Sequence, residues 1–437
     1  MSSQRSAGRA AKPVRVGLFG RLASGNIGND ASMEAILAYL RAQHPAAIVD
    51  AMCNGPERMR AHYGIDATQL FHEHVFPRRP SRPVRAAWLA WEKLVDAARI
   101  AAWVRAHDVV IIPGMGVLEA YLPIDPWGMP YSQYLLAAWG RIFRTKVAMV
   151  NVGAGRIGQR STRWLFSQSA RLAYYLSFRD VQSREAMAEQ GLDTSRIPIY
   201  PDLAFAIPVP PYDPGEERTV GIGVMQYSGA NEDRGRAEEI RAAYMQNVTV
   251  FARWLIANGY RIRFFFGDSD DEVIARAIHA SLVEHSPEIT PDTVILDSVE
   301  TFDDVTRVIQ SVSIVVATRF HNLIAAVRLG KPTLSLGYGN KAGVIMRDSG
   351  LDDFCLAARS LDAAQIIERF QELERRAPEL RTRIQENTAE KARRLDDQFV
   401  LLSAQLFPPR RPRQAALKPN HTKAEYGTRE EPARSGR

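Results

Sequence analysis

The sequence predicts an α/β fold with two domains of similar size facing across a cleft. Three observations carry this reading. Short apolar runs alternate with helical patterns along most of the 437 residues, which is how strand–helix–strand units with a mainly parallel sheet are written. The alternation halts once, at Ile207–Glu217, where IPVPPYDPGEE holds four prolines and a glycine; such a stretch cannot continue a helix or a central strand. Beyond it the alternation restarts at comparable length.

The elements follow in order. In the first domain, residues 14–206, strands are expected at Val14–Phe19, Ile48–Cys53, Val109–Ile112, Val147–Val152 and Tyr174–Phe178. A helix over Ala31–Arg41 places Met33, Ile36, Leu37 and Leu40 on one side. Val84–His107 carries Trp88, Trp91, Trp103 and several arginines. It reads as an amphipathic helix packed on the body rather than one lying on a membrane. Residues 207–217 form the linker. In the second domain, residues 218–377, strands are expected at Thr219–Val224, Arg261–Phe266, Val294–Leu296, Ile314–Ala317 and Thr333–Leu336. Helices are expected around Arg236–Asn258, Asp271–Val283, Thr301–Gln310 and Asn322–Leu329. A long polar helix at about Pro378–Leu402, within residues 378–408, closes the structure.

Composition limits the function. With 46% hydrophobic and 24% charged residues the chain is an ordinary globular protein. The net charge of +7 lies in two tails. Residues 1–13 carry +3, residues 409–437 carry +5, and the body is near neutral, so a nucleic-acid partner is not expected. The tails read as disordered, and their charge suits contact with an anionic membrane. Cys53 and Cys355 form no C-x-x-C pair, which argues against a zinc site and for a reducing, cytoplasmic setting. Nine histidines include no H-E-x-x-H spacing, and no metal is expected. No apolar run is long enough to span a bilayer.

Ligands of open parallel sheets bind at the carboxyl ends of the strands, so polar residues just after predicted strands are the candidates. Ser24–Ala31, SGNIGNDA, offers Asn26, Gly28 and Asn29 at a helix start that suits an anion or a simple cap. Asp108–Gly116 ends in Gly114 and Gly116, and Val150–Gly155 also ends in glycines; both suit close approach of backbone or a structural turn. Ser177–Ser183 places Arg179 at a strand end, where it grips an anion or a carboxylate of the protein. Asp202, in Pro201–Phe205, is a supporting partner or a cap. Thr318, Arg319, Phe320 and His321 follow a strongly apolar strand. A cation and an imidazole at such a place suit an anionic ligand and proton transfer. Lys331–Gly343 adds Tyr338, Asn340 and Lys341.

The order of these motifs resembles the polysaccharide pyruvyl transferase family over roughly Val14–Leu351. TRFH followed by GKP and Tyr338-x-x-Lys341 is the most specific part, with FRD-x-x-S and PDLAF in support. The resemblance implies two Rossmann-like domains, similar to GT-B glycosyltransferases. It implies transfer of the enolpyruvyl carbons of phosphoenolpyruvate to a sugar of a surface polysaccharide or its lipid-linked precursor, giving a cyclic ketal and phosphate. Phosphoenolpyruvate is then the donor substrate, a glycan is the acceptor, and no cofactor is needed. Arg179 matches the family's arginine before D-x-x-S, and Arg319, Phe320 and His321 match its R-L-H motif, which implies donor binding there and catalysis by His321. The chain departs at Phe320, Asn29 and Met115, where the family has leucine, an acid and glycine. A nucleotide-sugar glycosyltransferase and an inactive binding protein are the alternatives.

Overall fold

The computed structural model describes residues 12–72, 81–120, 124–227, 233, 235–285, 289–290 and 292–408. Most of both basic tails, and His74, lie outside the described residues. The first half contains β1 (Arg15–Gly20), α1 (Ile27–Gln43), β2 (Ile48–Cys53), α2 (Pro56–Tyr63), β3 (Asp66–Gln69) and α3 (Arg82–Arg105). It continues with β4 (Val109–Pro113), α4 (Met129–Phe143), β5 (Lys146–Val152), α5 (Arg160–Leu172), β6 (Tyr175–Phe178) and α6 (Val181–Glu189). The second half contains β7 (Glu216–Gly223), α7 (Ala237–Ala257), β8 (Arg261–Phe265), α8 (Glu272–His285), β9 (Val294–Leu296) and α9 (Phe302–Gln310). It ends with β10 (Val312–Ala317), α10 (Phe320–Arg328), β11 (Thr333–Gly337), α11 (Asn340–Asp348), β12 (Cys355–Ala357) and α12 (Ala363–Leu406).

Each half forms one six-stranded sheet with every pairing parallel. The orders are β3-β2-β1-β4-β5-β6 and β12-β11-β10-β7-β8-β9. Numbered within its own half, the second is the first repeated, so both are doubly wound. Helices cover both faces, which is why the central strands read as unbroken apolar runs: Val109–Pro113 is buried throughout, as are Ile314–Ala317. In such sheets ligands bind where the strand order reverses. Those points are the carboxyl ends of β1 and β4 in one half and of β7 and β10 in the other.

Two strands escaped sequence reading. β3 (DATQ) and β12 (CLA) are edge strands, paired on one side only, so they need little apolar pattern. The closing helix also differs from expectation. It starts at Ala363 rather than near Pro378 and runs 44 residues with Pro378 inside. Pro378 is exposed, while Ile366, Phe370, Leu373, Leu380 and Ile384 are buried along the inner face and carry the helix past the missing bond. The helix then crosses to the first half. There Phe399 stacks on Tyr39 at 4.6 Å, and Gln398 bonds Asn151, Tyr175 and Ser177.

The halves also meet at their cleft sides. Asn26 caps α1 and sends its amide to Asp268 at 2.8 Å, and the Ile27 amide donates to the Gly267 carbonyl. Buried Lys331 donates to the carbonyls of Asp213, Gln310 and Val312, tying the proline-rich segment to the second sheet.

α3 departs from the expected packing. Its second half is buried at Ile100 and Val104, but Trp88, Leu89, Trp91 and Leu94 in its first half are exposed.

Candidate functional site

β6 ends on Phe178, and Arg179 follows it into the space between the halves, almost wholly buried. A buried guanidinium needs partners. Arg179 donates to Glu119 at 3.1 Å and to Asp202 at 3.3 Å, and lies 3.5 Å from Asp180. Its guanidinium carbon lies over the Phe320 ring, 5.1 Å from the centroid, a cation–π contact. Lys341, in the first turn of α11, reaches across and meets the same Glu119 carboxylate at 2.5 Å. Arg179–Glu119–Lys341 is therefore a further link between the halves. Burial works to raise the Glu119 carboxyl, but Lys341 and Arg179 outweigh it and hold it below its usual range. Burial, followed by Arg179, pulls the Lys341 ammonium down.

Glycines make room for this knot. A β-carbon on Gly116 would stand 2.4 Å from the Glu119 carboxylate, and one on Gly153 would stand 2.4 Å from it and 2.6 Å from Arg179. Gly114 serves another purpose: it has φ +47° and lies against Ser32 of α1.

His321 sits in the first turn of α10, 4.0 Å from Asp202 and edge-on to Phe320. Its ring lies flush on α1: a β-carbon on Gly28 would fall 1.9 Å from Nδ1. Nε2 is buried with no hydrogen-bond partner. Burial pushes the imidazole down to about 4, with Asp202 opposing and Arg179, Lys341 and Arg319 adding to the fall. The positive end of α1 acts the same way. At neutral pH this histidine is uncharged.

The remaining candidates fall into two groups. Arg319 caps α10, and its fork is bidentate on buried Asp271 at 2.6 and 2.7 Å. It acts on His321 through space, while the cation that reaches across to the first half is Lys341. Asp202 holds Arg179 and also caps the turn at Leu203–Ala206. Tyr338 stacks on Tyr227 at 4.0 Å and lines a neighbouring groove. Asn26 caps and bridges. Asn29 folds back on its own loop, donating to the Arg21 carbonyl. The acid of that loop is Asp30, buried, accepting from the Ala23 amide and raised by burial to about 6.

Glu119 and Asp271 were missed. Glu119 stands three residues past Gly116 in an apolar loop, and that isolated acid was the only local signal.

Arg179, Asp202, Phe320 and Lys341 line one small pocket with Gln182 and Val344. A wider, more open groove shares Gln182 and Val344 and continues past Tyr338, Arg347 and Arg359. Three helices begin at this pocket: α6 through Asp180 and Gln182, α10 through Phe320, and α11 through Lys341, while the start of α1 lies behind the His321 ring. Their amides and dipoles offset the local carboxylates and favour an anion. Among the described residues no group of three or more His, Cys, Asp or Glu could hold a metal ion.

Comparison with protein families matches residues 26–340 to the polysaccharide pyruvyl transferase family. Comparison with curated proteins finds no match. Among solved structures, the chain is similar to a putative UDP-N-acetylglucosamine 2-epimerase from Listeria monocytogenes. The TM-score is 0.59 at 11% identity, over 90% of this chain and 96% of that one. A glycosyltransferase from Rickettsia africae gives 0.54 at 10% identity, over 91% and 100%. At such identities the likeness shows the fold alone: two Rossmann-like domains facing across a cleft, in the GT-B manner.

Proposed function

Because the chain belongs to the polysaccharide pyruvyl transferase family, we propose that it moves the pyruvyl carbons of phosphoenolpyruvate onto a glycan, forming a cyclic ketal. The observation that carries this is the convergence of three helix starts, Arg179 and Lys341 on one pocket, with an uncharged His321 beside it, 4.0 Å from the lining Asp202. The donor has a phosphate and a carboxylate. Helix amides and Lys341 suit the phosphate, and the Arg179 fork suits either group. The groove beyond Tyr338 has room for sugar rings.

The chemistry balances without a redox partner. The donor's methylene carbon gains a proton and becomes a methyl group, while one sugar hydroxyl bonds to the adjacent carbon and loses its proton. The bond from that carbon to the phosphate oxygen then breaks. A second hydroxyl takes the place of the phosphate, its proton leaving on inorganic phosphate. His321, uncharged before the donor arrives, is fitted to accept the hydroxyl proton. The donor's negative charge raises the imidazole and favours its keeping that proton, which it can return to the methylene carbon. Asp202 favours that charged form and helps orient the ring.

The test is phosphate release from phosphoenolpyruvate in the presence of pyranosides or lipid-linked glycans. Turnover in heavy water should put deuterium into the pyruvate methyl group. Nucleotide release from a nucleotide sugar, with no phosphate from phosphoenolpyruvate, would replace this reading with a glycosyl transfer.

A further inference from the structure

The outer surface of the α3–α4–α5 layer is unlike the rest of the molecule. α3 has 24 residues and is about 36 Å long, whereas the five residues of β4 span about 17 Å. The end of α3 leads directly into β4, so its second half lies on the sheet and its first half projects past the strand ends. The projecting half exposes Trp88, Leu89, Trp91 and Leu94, with Trp91 57% exposed. Helices of a parallel sheet start at the carboxyl ends of the strands, which is also the side of the cleft. Trp127, just before α4, and Trp164, in the first turn of α5, are exposed at that same end at 56% and 54%. Isolated exposed apolar residues are ordinary, but a cluster of this kind marks an interaction surface.

Charge identifies what it fits. From Pro126 to Arg179 there are eight Lys or Arg and no Asp or Glu, although 49 acidic residues in 437 would place about six in those 54 positions. Arg160, exposed, opens α5 at the cleft end, while exposed Arg141, Arg144 and Arg171 lie at the far ends of α4 and α5. Among the described residues none of them pairs with a carboxylate. Arg78, Arg79, Arg82 and Arg85 precede Trp88 in sequence, with no acid between Glu73 and Glu92. Among the described residues no helix is long and apolar enough to cross a membrane. Tryptophan and leucine with arginines and few acids, Glu92 and Asp125 being those nearby, are the composition of an interfacial surface.

We propose that the projecting half of α3, with Trp127, Trp164 and Arg160, docks on an anionic lipid bilayer and holds the mouth of the cleft against it. The acceptor is then a glycan carried on a membrane lipid; this part alone rests on the pyruvyl-transfer reading. The surface is a folded part of the first half, separate from the basic tails.

The test uses the full chain with vesicles of phosphatidylglycerol and phosphatidylcholine, and vesicles of phosphatidylcholine alone. Co-sedimentation should be strong on the first and at least tenfold weaker on the second. The double variant W91E/L94E should lose at least tenfold on anionic vesicles while keeping its thermal melting point, and W164E should lose less. Brominated lipid should quench wild-type tryptophan fluorescence, and W91E/L94E should lose most of that quenching. Wild-type protein that ignores anionic vesicles overturns the proposal. So does binding that survives W91E/L94E but vanishes when residues 409–437 are removed. A wild-type dimer made monomeric by W91E/L94E, with no vesicle binding, assigns the face to a second copy instead. Vesicle binding needs neither donor nor acceptor, so its outcome is independent of whether phosphate release is observed.

Discussion

Replacing Gly28 with alanine tests the core of the site with one methyl group. Gly28 lies in the first turn of α1 with no positive φ to protect. The backbone therefore accepts alanine, which is worth roughly 1 kcal/mol to a helix interior. The new methyl would stand 1.9 Å from Nδ1 of His321 and 2.4 Å from Cε1 and Cγ. Ordinary carbon contacts lie at about 3.5 Å, so the imidazole must retreat by about 1.5 Å. Its neighbours limit where it can go: Phe320 is edge-on at 5.2 Å and Asp202 is 4.0 Å away. Overpacking of this kind costs about 1–3 kcal/mol, which the helix gain partly offsets, so the fold should hold. Misplacing a reacting group by about 1 Å costs on the order of 10²-fold. Gly28→Ala should therefore lower turnover in phosphate release by about 10²-fold, with a melting point within a few degrees of wild type. Gly158→Ala, where nothing lies within 4 Å, is the control and should behave as wild type. A Gly28→Ala enzyme with normal turnover would refute the placement of His321 at the reacting centre.

Two further predictions rest on charge. Glu119→Gln leaves Arg179 and Lys341 facing each other across the cleft without their shared carboxylate; removing one partner of a buried pair costs about 3–5 kcal/mol. Stability should fall, and inorganic phosphate should raise the melting point of the variant more than that of wild type; equal stability in urea would discount Glu119 as a link. His321 titrates near 4 when folded and near 6.5 when unfolded, so the unfolded chain binds more protons between those values. Its stabilising contribution is whole above about 6.5 and is lost as pH falls toward 4. Between pH 7 and 4.5, wild type should lose about 2 kcal/mol more than His321→Asn. Glu34 and Asp30, raised by burial to about 7 and 6, drive stability the opposite way, so the difference between the two proteins is the readout. Parallel curves would mean that His321 titrates in the folded protein as it does in the unfolded chain, and that burial does not hold it down.

The fold was legible where burial is symmetrical. A strand covered by helices on both faces must be apolar throughout, and Val109–Ile112 and Ile314–Ala317 announce themselves for that reason. β3 and β12 were silent because an edge strand is held by one neighbour's hydrogen bonds and needs no such run. α12 was cut short in the reading because Pro378 forbids a local hydrogen bond, whereas the tertiary contacts of Phe370 and Leu380 restore the helix on either side. The exposed face of α3 was equally hidden. Its spacing is that of an amphipathic helix, and nothing local says that the sheet ends before the helix does.

The site divides along the same line. Arg179 and His321 could be found because each follows a buried strand at once, so the strand fixes where it points. What each does there depends on residues far away in the chain. Arg179 could have gripped a ligand alone or paired with the protein. It pairs, with Glu119 sixty residues earlier, and that carboxylate also holds Lys341, 222 residues further on. The glycines were the readable trace of this arrangement, because side chains at Gly116 and Gly153 would occupy the space of the carboxylate and the guanidinium. Gly28 belongs to the same logic. It looked like part of an anion-binding turn, yet its missing side chain is filled by the imidazole of the other half. Burial there holds the imidazole down, and the contact sets it at the start of α1. The same helix start that disfavours a proton on the ring also favours an anion beside it. On the pyruvyl-transfer reading, an arriving donor would change the balance at His321, and both halves are needed to build that place.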